Sequence, residues 1–372
     1  MPAWAEMTEA AIWVQTTGEA RVQIRYTPVR KRDYSAPGGY TAFTNQAAEL
    51  GPVIHTKAEN DFIAVSVLTD LEWGTDYRYE LLINHEVVQR DYPLTFKTQP
   101  HWRWAVRPPQ PPALKIMLGS CSYINEPKTD RPGNPYGQDP IIYQTMADQN
   151  ADFMLWLGDN VYYREMEWLT EQGMRRRWRY DRSRPFIQRL LASTVHYATW
   201  DDHDFGPNNS DRSFRLKGEA LDIFDDYFPA VKRGTPETAG AFHRFEWGDV
   251  EVFMLDDRYH RTPNNAPNSP DKTMLGEAQM QWLKDSLSNS IATFKIVACG
   301  NQVTKPQVYS EGMVRHGDDQ SELMEYIRDA KIPGVLFLSG DIHSTELLKT
   351  PVEGLYPLYE FTCSSITAGS AS

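Results

Sequence analysis

From residue 114 onward the chain alternates short apolar strands with helical segments, and this alternation limits its possible folds more than any other feature. Several strands are apolar on both faces, as a sheet buried between two layers requires. The alternation predicts an α/β domain. The predicted strands are Leu114–Gly119, Asp152–Leu157, Thr194–Trp200, Val250–Leu255, Phe294–Ala298, Val335–Ser339 and Leu358–Thr362. The predicted helices are Pro140–Gln149, Glu165–Arg179, Arg184–Ala192, Phe214–Phe228, Glu277–Ser290 and Asp318–Ala330.

The first 100 residues show a different pattern, in which strands follow one another with no good helix between them. Alternation such as Val22, Ile24 and Tyr26 on one face indicates half-buried strands. Strands at this spacing predict an all-β, immunoglobulin- or fibronectin-like sandwich. Tyr77 fits either a tyrosine corner, with a hydrogen bond back to the preceding turn, or plain core packing. The predicted strands are Ala11–Thr17, Arg21–Pro28, Asp61–Leu68, Tyr77–Ile83 and Tyr92–Thr98.

A proline-rich stretch separates the two patterns. The sequence RPPQPPA holds four prolines in seven residues, and proline both fixes φ and removes a backbone donor. The stretch therefore reads as a linker. The predicted division is a β-sandwich at 1–100, a linker at 101–113 and an α/β domain at 114–372.

Six of the predicted strands end in residue types that bind metals or take part in catalysis. In open α/β sheets, ligands bind beyond the carboxyl ends of the strands. One such ending is ordinary turn chemistry, whereas six together indicate a metal-dependent site. The endings hold Cys121, Asp159-Asn160, Asp201-Asp202-His203-Asp204, Asp256-Asp257-Arg258, Asn301-Gln302 and Asp341-Ile342-His343.

Each candidate also has a simpler structural interpretation. Asp159 could cap a turn, and Asp341 with His343 could form a turn beside a satisfied histidine. The run DDHD could be a solvated acidic loop, although its charges repel one another and cations would relieve that repulsion. A lone Cys121 would usually be a small buried hydrophobe, but its place at a strand end favours a metal ligand.

These residue types point to two or more metal ions. A carboxylate such as Asp159 can bridge two cations, of which one activates water while both bind phosphoryl oxygens. Carboxylate oxygens suit Ca²⁺, Mg²⁺ or Mn²⁺, whereas a thiolate prefers a more strongly acidic metal. His203 is placed to give a proton to a leaving oxygen or to stabilise the transition state. Arg258 either holds phosphate oxygens or forms a surface salt bridge.

Length and charge exclude several classes of protein. The 372 residues suit two domains, and a formal net charge of −12 disfavours nucleic acid or an anionic membrane as partner. Three widely spaced cysteines imply no disulfide framework. The first residues lack the basic and apolar regions of a signal peptide, and no run of about 18 apolar residues predicts a membrane span.

The chain resembles the PhoD-like alkaline phosphatases, a branch of the calcineurin-like metallophosphoesterases, over nearly its whole length. The matching pieces are GSC at 119–121, GDNVYY at 158–163, WDDHD at 200–204, LDDR at 255–258, GNQ at 300–302 and GDIH at 340–343. The resemblance implies that 114–372 is a catalytic domain in which mixed sheets form a sandwich flanked by helices. It also implies hydrolysis of phosphomonoesters and often diesters, Fe³⁺ and Ca²⁺ as cofactors, and a periplasmic or secreted location.

The resemblance also implies roles for individual residues. Cys121 would replace the superfamily's first ligand motif, Asp159 would bridge the metals, and Tyr162 would be a phenolate ligand of iron. The remaining candidates come from the later motifs. Asp201, Asp202, Asn208, Asp341 and His343 would be further metal ligands, and His203 would be the catalytic histidine.

The expected function is hydrolysis of a small phosphoester by a metal-activated hydroxide, with monoesters ahead of diesters. Mg²⁺, Mn²⁺ or Zn²⁺ could replace the expected ions. One alternative is a phospholipase-D-like phosphodiesterase, and another is an inactive binding protein on the same scaffold. An adhesion or carbohydrate-binding protein built on the sandwich would leave the strand-end carboxylates unexplained.

Overall fold

The structure, a computed structural model, describes residues 1–33, 39–105, 111–308 and 311–369. These described residues form a mixed α/β fold with four sheets. None of the helices in the described ranges has the length and apolar character of a membrane span. The predicted linker lies partly outside these ranges, and its described part includes one helical turn, α1 (Trp102–Ala105).

The described residues of the N-terminal part form strands and one 3₁₀ turn, Ala58–Asn60. The strands are β1 (Pro2–Ala5), β2 (Ala10–Gln15), β3 (Ala20–Asp33), β4 (Gly39–Ala42), β5 (Glu49–Leu50), β6 (Ile54–Thr56), β7 (Ile63–Leu68), β8 (Thr75–Ile83), β9 (Glu86–Val87) and β10 (Thr95–Lys97). One sheet has the order β1-β2-β7. The other has the order β10-β8-β3-β4, with β5 and β6 also paired to β3 and β9 to β8.

Five of these ten strands match the sequence prediction, and the five that it missed have only two to four residues. Strands this short carry too few residues to show a period of two. At the predicted tyrosine corner, the backbone N–H of Glu72 donates to the Tyr77 hydroxyl oxygen at 2.7 Å. The Tyr77 ring also stacks on Phe96, so the hydrogen bond and core packing occur together.

The rest of the chain alternates strands and helices, as predicted. The strands are β11 (Ile116–Gly119), β12 (Phe153–Leu157), β13 (Val195–Thr199), β14 (His243–Trp247), β15 (Val250–Met254), β16 (Phe294–Ala298), β17 (Val335–Ser339), β18 (Glu346–Thr350) and β19 (Leu358–Thr362). The helices are α2 (Ile141–Ala147), α3 (Glu171–Arg182), α4 (Pro185–Ser193), α5 (Asp202–Phe205), α6 (Lys217–Tyr227), α7 (Glu277–Asn289) and α8 (Asp319–Asp329).

Two sheets carry the strand ends of interest. β11, β12 and β13 form a parallel three-stranded sheet. The other sheet has the order β14-β15-β16-β17-β19-β18, in which only β14 and β18, the edge strands, pair antiparallel. Every residue of β12, β13 and β15 is buried, as a sheet covered on both faces requires. The parallel strands of each sheet therefore end at one edge.

The N-terminal strands share a hydrophobic core with the α/β part. One cluster of buried residues runs from Ala3 and Trp13 through β12 and β13 to Phe224 of α6. The Trp13 indole N–H donates to the Asp226 carbonyl at 2.7 Å, and the Tyr197 hydroxyl donates to the Ala5 carbonyl at 3.0 Å. Strand β1 thus packs directly against β13.

Candidate metal centre

Asp159 lies at the centre of the predicted strand-end cluster. Its Oδ1 accepts the backbone N–H of His203 at 3.1 Å, and its Oδ2 accepts the Tyr162 hydroxyl at 2.9 Å. Gly158 before it has a φ of +89°, and a Cβ there would lie 2.6 Å from the Asp201 Cβ. Glycine is therefore what lets the ends of β12 and β13 approach closely.

The first group of potential ligands is Cys121, Asp159 and His343, whose ligand atoms lie within 4.8 Å of one another. Tyr162 joins this group, because its hydroxyl is 3.1 Å from His343 Nε2. His343 Nδ1 lies 2.7 Å from the Gly369 carbonyl. A carbonyl can only accept, so Nδ1 carries the proton and Nε2 keeps a lone pair that faces the cluster.

The second group of potential ligands is Asp159, Asp202 and His203, again within 4.8 Å. The backbone N–H of Asn209 donates to Asp202 Oδ2 at 2.5 Å and orients that carboxylate. The His203 ring packs on the Tyr162 ring, with 4.3 Å between the two ring centroids. The buried Nδ1 of His203 has no hydrogen-bond partner among the described residues. Asp159 belongs to both groups, so one carboxylate can serve two adjacent cations.

The electrostatics of the cluster suit bound cations. Burial and the nearby carboxylates Asp202, Asp204 and Asp341 raise the pKa of Asp159 well above its ordinary value. Burial, followed by Asp202 and Glu311, raises the pKa of Asp341 to about 7. Positive charge placed among these groups would favour their ionised forms. The cluster and its donor types therefore fit metal ions.

The donor types differ across the cluster. Burial is the main cause that raises the pKa values of Cys121 and Tyr162 well above their ordinary range, and Asp159 adds to it. A thiol and a phenol in such a setting ionise readily only beside a strongly acidic metal. Asp202, by contrast, offers carboxylate oxygens of the kind that harder divalent ions prefer. The two sides of Asp159 therefore suit unlike metals.

Arg258 and Asp201 lie next to this cluster and pair with each other. Arg258 Nε donates to Asp201 Oδ1 at 2.6 Å, and Arg258 Nη2 donates to Glu311 Oε2 at 2.6 Å. Asn301 Nδ2 donates to Asp201 Oδ2 at 3.0 Å. Arg258 is completely buried, so the alternative of a surface salt bridge is wrong. Its guanidinium is held by Asp201, Glu311 and the Ser210 carbonyl.

Asp201 also belongs to a third group of possible ligands, with Asp202 and Glu311. Arg258 already supplies positive charge between Asp201 and Glu311, so this group offers a cation less than the other two groups do. Asn208 is exposed, and the amide that reaches Asp202 comes from Asn209. The ligand roles of Asp201 and Asn208 stay predictions, with less geometric support than the others.

The sequence reading missed three residues of the site. Tyr136 lies with its hydroxyl 3.0 Å from His343 Nδ1, and Ser364 donates to Cys121 Sγ at 3.0 Å. Glu311 accepts a hydrogen bond from Arg258 Nη2. Ser364 follows β19, so the rule applied to the other strand ends could have found it. Tyr136 and Glu311 lie away from any strand end and carried no such signal.

Comparison with known proteins adds to this geometry. A family model described as PhoD-like phosphatase matches residues 133–372. Alkaline phosphatase D of Bacillus subtilis (strain 168) is 23% identical over 284 residues, which cover 61% of this chain and 48% of that protein. The chain therefore spans about half the length of that curated relative.

Two solved structures share the fold. A structure of PhoD has a TM-score of 0.73 at 19% identity, with 99% of this chain and 76% of that chain covered. A purple acid phosphatase isolated from yellow lupin (Lupinus luteus) seeds has a TM-score of 0.65 at 13% identity, with 100% and 65% covered. At these identities the structures show a common fold.

Proposed function

The chain belongs to the PhoD-like phosphatase family, and on that premise we propose that it hydrolyses small phosphoesters at a metal centre built around Asp159. The observation that carries the proposal is that Asp159 is shared by two groups of potential ligands. A shared carboxylate is what a two-metal hydrolytic site needs. We propose phosphomonoesters as the first class of substrate and phosphodiesters as the second.

Each side of Asp159 would hold one kind of metal. Cys121, Tyr162 and His343 would bind Fe³⁺, and Asp202 with Asp341 would bind Ca²⁺ or another divalent ion such as Mg²⁺, Mn²⁺ or Zn²⁺. When bound, such ions lower the pKa of water and neutralise phosphoryl oxygens. Asp201 and Asn208 are weaker candidates on the Asp202 side.

His203 would contact the reacting groups directly. Burial lowers the pKa of His203, which favours the neutral imidazole with one N–H. Its position beside Asp159 and Asp202 allows this N–H to donate to a phosphoryl or leaving oxygen. Arg258 would act differently from the role that the sequence predicted, because its donors hold Asp201 and Glu311 in place.

The N-terminal strands would form an immunoglobulin- or fibronectin-like domain over residues 1–100, joined through 101–113 to a metallophosphoesterase domain at 114–372. The Glu72–Tyr77 hydrogen bond supports this assignment. A periplasmic or secreted location stays a prediction that rests on the resemblance.

Two other functions use the same scaffold. A phospholipase-D-like phosphodiesterase would favour diesters, and an inactive binding protein would bind phosphate without hydrolysing either ester. The intact ligand groups around Asp159 favour an active enzyme over a binding protein.

The test measures metals and activity on one sample. We expect iron together with calcium or another divalent metal, and release of nitrophenol from nitrophenyl phosphate faster than from its bis-ester. Asp159→Asn should lose at least about 100-fold in kcat/KM, about 2.7 kcal/mol, because both metals lose a shared ligand. Asp148→Asn is the control, since Asp148 is an exposed partner of Arg189.

The outcomes separate the alternatives. A metal-free protein that is fully active, or an Asp159→Asn variant that keeps full activity, would contradict the proposed centre. Hydrolysis of the bis-ester alone would favour the phosphodiesterase, and phosphate binding without turnover would favour the inactive binding protein.

A further inference from the structure

The segment after β19 runs alongside Cys121 and covers it. The backbone N–H of Ile366 donates to the Ser120 carbonyl at 2.8 Å, and that of Ala368 donates to the Cys121 carbonyl at 3.0 Å. Gln138 pairs with the other side of this segment through the Thr367 carbonyl at 2.6 Å. Residues 364–369 are thus held on both sides next to a proposed metal ligand.

Within this segment, the buried Ser364 hydroxyl joins two of the proposed ligands. The backbone N–H of His343 donates to Ser364 Oγ at 3.1 Å, and Ser364 Oγ is 3.0 Å from Cys121 Sγ. A hydroxyl has one proton and two acceptor lone pairs. Because a backbone N–H can only donate, it uses a lone pair of Ser364, and the hydroxyl proton is left for the sulfur.

A second serine hydroxyl, that of Ser120, lies 3.2 Å from this sulfur. Its Oγ also lies 3.1 Å from the Cys363 carbonyl, which can only accept. The single proton of Ser120 is therefore used by that carbonyl. Of the two hydroxyls, Ser364 is the one whose other contact leaves its proton free for Cys121.

From these hydrogen bonds we infer that Ser364 is a positioning residue that holds the Cys121 thiolate and the His343 backbone together at the metal centre. The inference rests on the proposed function, in which Cys121 and His343 bind the same metal. A hydrogen bond from Ser364 stabilises the lone pairs of the thiolate and fixes the direction of the sulfur. Partners of this kind commonly change metal affinity by about 10- to 100-fold.

The hydrogen bond has a spectroscopic consequence that packing alone does not have. In a thiolate-to-metal charge-transfer transition, an electron leaves the sulfur lone pair. A donor that stabilises this lone pair raises the transition energy, so loss of the donor moves the absorption to longer wavelength. The band position therefore reports the Ser364–Cys121 hydrogen bond itself.

The test is a titration of chelator-treated, full-length protein with Co²⁺, followed by the thiolate absorption. We expect Ser364→Ala to weaken Co²⁺ binding about 10- to 100-fold and to move the band to longer wavelength. Ser364→Thr keeps a hydroxyl and should retain most of both properties. Ser365→Ala is the matched control, because the Ser365 hydroxyl donates to the Ala368 carbonyl within the same segment.

The possible results separate this inference from the proposed function. If the unmodified protein binds Co²⁺ without a thiolate band, Cys121 is not a ligand, and the proposed ligand role of Cys121 fails together with the role of Ser364. If the band is present but unchanged in Ser364→Ala, only the role of Ser364 is overturned. If Ser365→Ala changes the band and the affinity as much as Ser364→Ala does, the effect comes from segment packing and the inference is also overturned.

Discussion

At the scale of single residues, buried charges next to the site are paired with groups of opposite charge. Glu311 accepts from Arg258 Nη2 at 2.6 Å and from Arg261 Nη2 at 2.9 Å, and both arginines are fully buried. Burial acts to raise the pKa of Glu311, but the two arginines outweigh it and hold the pKa below its ordinary value. Glu311 is therefore ionised, and each arginine has a partner.

Glu311→Gln should lower the free energy of unfolding by about 3–5 kcal/mol, because two buried guanidinium groups lose a charged partner. Denaturant unfolding at pH 7 measures the change. Glu80→Gln is the control, since Glu80 pairs with Arg25 at the surface, where a salt bridge contributes at most about 1 kcal/mol. Equal losses in the two variants would show that the buried network is no stronger than the surface pair.

At the scale of elements, a neighbouring strand and a helix fix the protonation state of a buried histidine. On β13, His196 Nδ1 accepts the indole N–H of Trp156 on β12 at 3.0 Å, and its Nε2 lies 3.2 Å from the Leu190 carbonyl of α4. Nδ1 must therefore be unprotonated while Nε2 donates. Burial, with a contribution from Arg182, lowers the pKa of His196 to about 3.

This arrangement predicts a pH-dependent stability. Between about pH 6.5 and pH 3 the unfolded histidine binds a proton that the native one does not, so stability falls as pH falls, by about 1.4 kcal/mol per unit. His196→Gln keeps an acceptor and a donor but does not titrate. The unfolding free energy of this variant, measured from pH 7.5 to pH 5, should therefore depend less steeply on pH, by up to about 1.4 kcal/mol per unit.

The control for the slope is His55→Gln, because His55 is exposed on β6. The unfolding free energy of His55→Gln should change with pH as that of the unmodified protein does. If His196→Gln also leaves the slope unchanged, then the contacts with Trp156 of β12 and Leu190 of α4 do not hold His196 neutral.

The accuracy of the predicted elements also follows from their place in the sheets. The bounds of β16, β17 and β19 agree with the prediction to the residue, because at least three of the five residues in each of these inner strands are apolar. The edge strands β14 and β18 were not predicted. In both strands every second residue is exposed, so the two strands resemble polar loops in sequence.

At the scale of the whole molecule, the core that joins the N-terminal sheets to the α/β part favours unfolding as one unit. Trp13 is buried in this core, where its ring packs against Tyr227 and its N–H binds the Asp226 carbonyl. Arg179 of α3 also pairs with Asp61 of the N-terminal part. The two predicted domains therefore depend on a common set of contacts.

Trp13→Ala should lower the free energy of unfolding by about 3–5 kcal/mol. Both halves of the chain should lose stability together. Loss of the proposed phosphatase activity and loss of the N-terminal β signal should follow the same denaturant curve. Val67→Ala is the control, because Val67 lies on β7 of the same sheet but is 39% exposed. Separate transitions for activity and for β structure would show that the predicted domains unfold independently.

The amino-acid sequence was enough to predict the alternation of strands and helices, the row of polar residues at the strand ends and the family. These are local properties, since period and composition are carried by consecutive residues. The tertiary structure alone decided that Arg258 is enclosed by Asp201 and Glu311, and that Ser364 reaches Cys121 across 243 positions. Such partners are chosen by how distant segments pack, and no local pattern encodes that choice.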